Sequence, residues 1–270
     1  LPGADSSLRQ QALEDLLEEL DGREWLGAQQ AASLRFALGL ASCPRDGHDI
    51  HRLLQRAELA LDTARDMPVH HLARYEPAMG EWQARVSRLE RELREALTRR
   101  EFRLHLQPQF DAAGRLHGAE ALLRWEHPER GLLAPGAFIA EAEHSGLIRP
   151  IGKWVLDEAL GLLAGPLRDS DMVVAVNVSV QQLRDDAFTQ QLSEALASRA
   201  VPACRLVLEV VESMLVTPEI RRRLESLQAL GVPIALDDFG TGYSSLRYLQ
   251  QLRVHEIKLD RAFIEPLKHA

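Results

Sequence analysis

The chain has 270 residues, 27% of them charged and 46% hydrophobic, with a formal net charge of -8. That composition is ordinary for a globular protein, and the length allows one large domain or two smaller ones. The negative balance argues against a broad nucleic-acid-binding face, which needs a basic surface. No apolar stretch approaches the roughly 18 residues that span a bilayer, and the start is not signal-like. Cys43 and Cys204 lie in different segments without metal-type spacing. They are expected to be buried, reduced thiols of a cytoplasmic protein. The chain begins with Leu1 rather than Met, as an excerpt from a longer protein would.

The first third reads as helix, strand, turn, helix. Ser7 can cap a helix through Leu20 with apolar positions at helical spacing. Residues 33–42 are a strand candidate, and Pro44-Arg-Asp-Gly47 is a turn. Asp49 to Arg65 is helical, with Ile50, Leu53, Leu54, Ala57, Leu61 and Ala64 on one stripe. Met67-Pro68 breaks the pattern, and residues 75–79 close the segment. Glu81 to Arg100 is a charged helix with Trp82, Val86, Leu89, Leu93 and Leu97 as its apolar positions, and it is expected to link the first third to the rest.

From Phe102 the pattern changes. Residues 102–110 and 116–125 are strands joined across a short Asp111-Ala-Ala-Gly114 turn, as in an antiparallel hairpin. Afterwards helices (138–143, 151–163, 186–200, 218–230, 244–252) alternate with strands (173–178, 206–211, 234–236, 256–259). Such strand–helix units suit a parallel sheet or a (β/α)₈ barrel, where chemistry gathers at the C-terminal strand ends. Only six strand candidates are present in this part, where a closed barrel needs eight.

Oxygen-bearing side chains recur at or near the ends of these apolar runs: Glu120, Asn177, Glu209 and the pair Asp237 and Asp238, with Lys258 on the last strand. An ionised group in a buried strand is costly unless paired, so four such sites suggest a shared cation. An all-oxygen set suits Mg²⁺ or Mn²⁺ better than Zn²⁺. Such a site favours phosphoryl transfer or hydrolysis. Lys258 is placed to orient a water or to take its proton, and Arg124 to hold a phosphate oxygen. Taken singly, each has a plainer explanation: a cap or ion pair for a strand-end carboxylate, a turn for Asn177, a surface pair for Arg124, a snorkelling side chain for Lys258. Period-two alternation puts Glu120 with Arg124, and Lys258 with Asp260, on shared faces. A regular strand would send Asp237 and Asp238 to opposite faces, unless the following Phe239-Gly-Thr-Gly242 turn redirects the second. Gly240-Thr-Gly242 is too short for a Walker loop.

These motifs resemble the EAL-domain cyclic di-GMP phosphodiesterases. The likeness lies in Glu120-Ala-Leu122 with Arg124-Trp125, Asn177-Val-Ser179, Glu209-Val-Val-Glu-Ser213, Asp237-Asp-Phe-Gly-Thr-Gly-Tyr-Ser-Ser-Leu246 and Ile257-Lys-Leu-Asp260, and runs from about Leu89 to Ala270. It implies a modified (β/α)₈ TIM-type barrel with an antiparallel first strand, here truncated before its last two strands. It also implies hydrolysis of cyclic di-GMP to linear pGpG with Mg²⁺ or Mn²⁺ in bacterial signalling. By resemblance Glu120, Asn177, Glu209 and Asp237 ligate metal and Asp238 binds a second ion. Lys258 positions or activates the water, with Glu120 and Asp237 as catalytic partners. Gln107, Arg124 and Asp260 contact substrate. Glu212 and Ser244 fix the loop after the fifth strand, a segment linked to homodimerisation. A binding module that holds the nucleotide without turnover is the alternative, and a bifunctional cyclase/phosphodiesterase a third possibility. With two strands missing, this stretch alone is expected to be inactive.

Residues 1–79 resemble the C-terminal half of a GGDEF domain, the α/β cyclase module. The likeness rests on Ala37-Leu-Gly-Leu-Ala41, Pro44-Arg-Asp-Gly47 and Ala57-Glu-Leu-Ala-Leu61. The signature loop would precede Leu1. Ala60-Leu-Asp-Thr-Ala-Arg65 departs from the usual Ala-Leu-Tyr-x-Ala-Lys, which points to a degenerate cyclase domain. Residues 80–100 are then the linker helix and 101–270 the EAL domain.

Overall fold

A computed structural model describes residues 15, 36–65, 72–240, 253–260, 263 and 265. The expected helix over 7–20 and the one over 244–252 lie outside these residues, apart from Asp15, which is helical. The chain divides into two compact units, Leu1–Arg88 and Leu89–Ala270.

In the first unit, β1 (Leu38–Leu40) leads through α1 (Ile50–Arg65) to β2 (Leu72–Arg74), which pairs parallel with β1 in the register Leu38↔Leu72. A Cβ at Gly39 would collide with the backbone of Ala57 and Leu61, so α1 crosses β1 where only glycine fits. Ala60, Ala64, Ala73 and Tyr75 form the small core. Of the expected stripe Ala64 is buried, whereas Ile50 and Leu54 are exposed; Ala60, not expected on it, is buried as well. The three-residue β2 escaped sequence reading because so short a strand shows no periodicity.

The division falls within α2 (Pro77–Arg99). This helix starts four residues before its expected first residue because proline suits the first helical position, where no N–H is needed. It ends at Arg100, whose φ of 56° breaks the helical path, and the Glu101 N–H returns to the Ala96 carbonyl.

The second unit is built on a sheet whose strands run β3 (Phe102–Phe110), β4 (Leu116–His127), β6 (Val173–Asn177), β7 (Leu206–Val211), β8 (Ile234–Phe239) and β9 (Glu256–Leu259), with a short β5 (Gly131–Leu133) beside β4. The β3–β4 and β4–β5 pairs are antiparallel, and every later pair is parallel. The Asp111 carboxylate closes the first hairpin by accepting the Ala113 and Arg115 N–H groups. Helices α3 (Ile139–His144), α4 (Ile148–Ala164), α5 (Val180–Leu183), α6 (Phe188–Ser198) and α7 (Pro218–Ala229) intervene. The four-residue α5 is specified by a capping box in which Ser179 and Gln182 satisfy each other's backbone N–H.

The alternation of each strand separates two chemistries. One face carries Phe102, Leu123, Trp125, Val174, Val176, Leu206, Leu208, Ile234 and Leu236, all buried in the main core with Ile151, Leu160 and Leu224 of the helices. Phe102, Trp125 and Phe138 pack at centroid distances of 5.5–6.1 Å. At about 1.5–3 kcal/mol per large apolar side chain, burial on this face dominates the unit's stability. The opposite face carries a separate layer of small residues, Ala175, Val207 and Ala235. At the other end of the sheet, the Arg205 guanidinium donates to the carbonyls of Leu167, Arg168 and Met172, tying down the connection into β6.

Cys43 and Cys204 are free but exposed, contrary to expectation. They sit in a turn and a 3-10 segment, not inside packed elements. Among the described residues no helix is long and apolar enough to cross a membrane.

Candidate active site

The small-residue layer defines the site by a two-residue step. Two positions beyond Ala175, Val207 and Ala235, on the same strand faces, stand Asn177, Glu209 and Asp237. Glu120 on β4 pairs in register with Ala175, and Asn177 with Glu209. The floor beneath these side chains is the Ala175, Val207 and Ala235 layer. At Gly118, on the same face as Glu120, a Cβ would strike Val173.

Glu120, Glu209 and Asp237 bring one oxygen each within 4.8 Å of one another. Lys258, from β9, reaches into this cluster. Its Nζ lies 2.8 Å from Glu120 Oε2, 2.8 Å from Glu209 Oε2 and 3.4 Å from Asp237 Oδ2. Asn177 Nδ2 donates to Glu120 Oε1 at 2.9 Å and to Glu209 Oε2 at 3.1 Å. Five strands and residues up to 138 positions apart thus meet at one point.

Burial sets the electrostatics. Glu209 is only 1% exposed, and this burial pushes its carboxyl up to about 7; Glu120 and Asp237 add to the rise, and Lys258 opposes it. For Lys258, burial alone lowers the pKa, but its hydrogen bonds to Glu120 and Glu209 outweigh that and hold it above the ordinary lysine value. In this arrangement Lys258 Nζ donates to the Glu120 and Glu209 carboxylates. Burial, then Asp237 and Asp260, raise the Asp238 carboxyl.

A bulge settles where the two adjacent aspartates go. The β8–β9 register slips between Leu236 and Phe239, and Asp238 has a φ of 53°. Its N–H donates to Asp237 Oδ1 at 3.0 Å. Asp238 is exposed and is not one of the three clustered carboxylates, while the charges of Asp237, Asp260, Lys258 and Glu120 act on it.

The start of the following loop is clamped. Glu212, buried just after β7, accepts the Gly240 N–H at 2.7 Å. Gly240 has a φ of 99°, and the Phe263 ring occupies the space a Cβ would fill. Ser244, the expected partner of Glu212, lies outside the described residues.

Gln107 stands directly across from Glu120, and Arg124 occupies the same face four residues farther along β4. Arg124 Nη1 donates to the Leu123 carbonyl. The pairing also brings Arg103 opposite Arg124 and His105 opposite Leu122, so both belong to the polar face. Sequence reading passed over them, and over Phe263, because a single polar residue in a strand or an aromatic after one carries no motif.

The donor set fits a hard divalent cation: among the described residues the cluster is made of carboxylate oxygens, with the Asn177 amide beside them.

The family model described as "EAL domain" matches residues 90–270. Over 241 residues the chain is 41% identical to the bifunctional diguanylate cyclase/cyclic di-GMP phosphodiesterase MucR of Pseudomonas aeruginosa, covering 86% of this chain and 35% of that protein. It is 34% identical over 235 residues to the cyclic di-GMP phosphodiesterase PdeR of Escherichia coli, covering 86% and 35%. The chain spans about a third of the length of these curated relatives. Among solved structures, the PaMucR phosphodiesterase in complex with c-di-GMP superposes with a TM-score of 0.65 at 45% identity, over 68% of this chain and 76% of that one. The FimX EAL domain of Pseudomonas aeruginosa bound to c-di-GMP gives 0.61 at 27% identity, over 68% and 74%. The fold, the carboxylate cluster and the matched residues agree, and the chain belongs to the EAL domain family.

Proposed function

We propose that this chain carries a phosphodiesterase module that hydrolyses cyclic di-GMP to linear pGpG. The observation that supports this most directly is the convergence of Glu120, Glu209 and Asp237 with Asn177 and Lys258 at the strand ends. The names of the relatives supply the substrate class. Glu120, Asn177, Glu209 and Asp237 would hold one divalent ion, Mg²⁺ or Mn²⁺, and Asp238 a second. When bound, such ions neutralise phosphate charge and lower the pKa of a coordinated water.

The protein's own groups do the rest. A water oxygen attacks phosphorus, the new P–O bond forms, and one phosphodiester P–O bond breaks to leave an alcohol and a terminal phosphate. Lys258 donates a hydrogen bond that orients the attacking water. Gln107, Arg124 and Asp260 position the nucleotide, with Arg124 opposite a phosphate oxygen. Glu212, through Gly240, holds the loop that follows Asp238.

Residues 1–79 are proposed to be the C-terminal part of a degenerate GGDEF domain, 80–100 the linker helix, and 101–270 the EAL domain. The parallel β1–α1–β2 unit and the bifunctional name of the MucR relative support the first assignment. The sheet is proposed to close through two further strands. Ile257 and Leu259 on the edge strand β9, and Leu106 and Phe110 on the edge strand β3, are exposed as if awaiting cover. A cytoplasmic location and an EAL-mediated homodimer complete the reading.

The test is turnover of cyclic di-GMP by the full-length protein in Mn²⁺, in Mg²⁺ and in EDTA. Metal-dependent pGpG, abolished in Glu120→Ala with its circular dichroism unchanged, is expected. Tight nucleotide binding without product would overturn the enzyme in favour of a receptor. Full activity in Glu120→Ala would refute the ligand assignment.

A further inference from the structure

The metal cluster of this chain already contains a cation of its own. Among the described residues, Lys258 is the only basic side chain paired with Glu120, Glu209 or Asp237. Its Nζ is bound to all three at once, and it engages Glu120 Oε2 and Glu209 Oε2 at equal distances of 2.8 Å. Asn177 Nδ2 donates to the other oxygen of Glu120, Oε1, and shares Glu209 Oε2 with Lys258. With Glu209 almost wholly buried, removing the ammonium would leave like charges facing each other away from water.

We propose that Lys258 is the resident counter-cation of these three carboxylates, and that an entering divalent ion must displace it. The inference rests on the metal reading above and adds a competition to it. A divalent ion held by these residues would use the oxygens that Nζ now holds at hydrogen-bond distance. A dication sharing those oxygens with an ammonium would put two cations within a few ångströms of each other, which Coulomb repulsion opposes. Metal entry therefore expels Nζ from the carboxylates and frees it to donate to water or phosphate. One lysine serves two states: it holds the strand ends together before metal arrives, and it becomes available to the reaction only afterwards. The consequence is a deliberately weakened metal site, in which the lysine lowers affinity for the ion while stabilising the empty fold.

The experiment is Mn²⁺ binding at pH 8 by the full-length protein without nucleotide, followed by calorimetry or by the electron paramagnetic resonance of free Mn²⁺. Wild type is compared with Lys258→Met and Glu120→Ala. Competition predicts that Lys258→Met binds Mn²⁺ about tenfold more tightly than wild type. A second readout is the thermal midpoint. Lys258→Met should melt below wild type in EDTA and gain more than wild type does from saturating Mn²⁺. Should the variant fail to fold without metal, it is refolded in Mn²⁺ and titrated with chelator; a need for more chelator than wild type to release the ion supports the competition. Equal or weaker Mn²⁺ binding by Lys258→Met, with wild type binding well and Glu120→Ala not, overturns the inference and leaves the metal reading standing. No Mn²⁺ binding by wild type or by Lys258→Met overturns both.

Discussion

Replacing Glu209 by glutamine should stabilise the metal-free protein while destroying its metal response. The carboxyl is 1% exposed, and burial raises it from 4.5 to about 7 despite the nearby Lys258. At about 1.4 kcal/mol per pH unit, an ionised Glu209 at pH 8 costs the fold about 3 kcal/mol. The sign follows from the direction. A carboxyl raised in the folded state binds its proton more tightly there, so its penalty is full above about 7 and shrinks as pH falls toward 4.5. At pH 5.5 about 1 kcal/mol is left. Glutamine keeps the shape and an acceptor for Lys258 but carries no charge. In EDTA at pH 8, Glu209→Gln should therefore gain up to about 3 kcal/mol, or a midpoint rise of roughly 6–12 °C at about 2–4 °C per kcal/mol. The gain should fall by more than half at pH 5.5. Urea denaturation of the full-length protein at both pH values measures it. Added Mn²⁺ should stabilise wild type and leave the variant unmoved. A variant less stable than wild type at pH 8 in EDTA would show that Lys258 more than compensates the buried charge, and the burial reasoning would fail.

Gly240→Ala should cost about 1–2 kcal/mol from its left-handed φ alone, and more from contact with Phe263. Cyclic di-GMP turnover should fall further than stability does, because Asp238 lies two residues away; unchanged kcat with an unchanged midpoint would refute the clamp. Arg205→Ala leaves the carbonyls of Leu167, Arg168 and Met172 without their charged donor and should destabilise by about 1.5–3 kcal/mol. Being at the far end of the sheet, it should leave kcat and KM near wild type at a temperature where the variant is folded; a selective loss of kcat would show that the two ends are coupled.

Much of the barrel half was legible because its strands are apolar on both the pattern and the boundary level. Leu206–Val211 begins and ends where its apolar run does. The period-two step also foretold that Glu120 shares a face with Arg124. What the chain could not show by itself was how strands distant in sequence line up. The register Asn177↔Glu209 and the 138-residue reach from Lys258 to Glu120 exist only once the parallel sheet is assembled. Local spacing likewise left open the direction of Asp238, which a bulge and a positive φ decide. The exposure of Cys43 and Cys204 and the seating of Phe263 against Gly240 are packing outcomes with no local signature. Which residues carry oxygen or charge, and the strand face of each outside the Asp237–Asp238 bulge, follow from side-chain chemistry and pleat, which are local properties. That three carboxylates close around one ammonium depends on the register of the whole assembled sheet, which no local stretch contains.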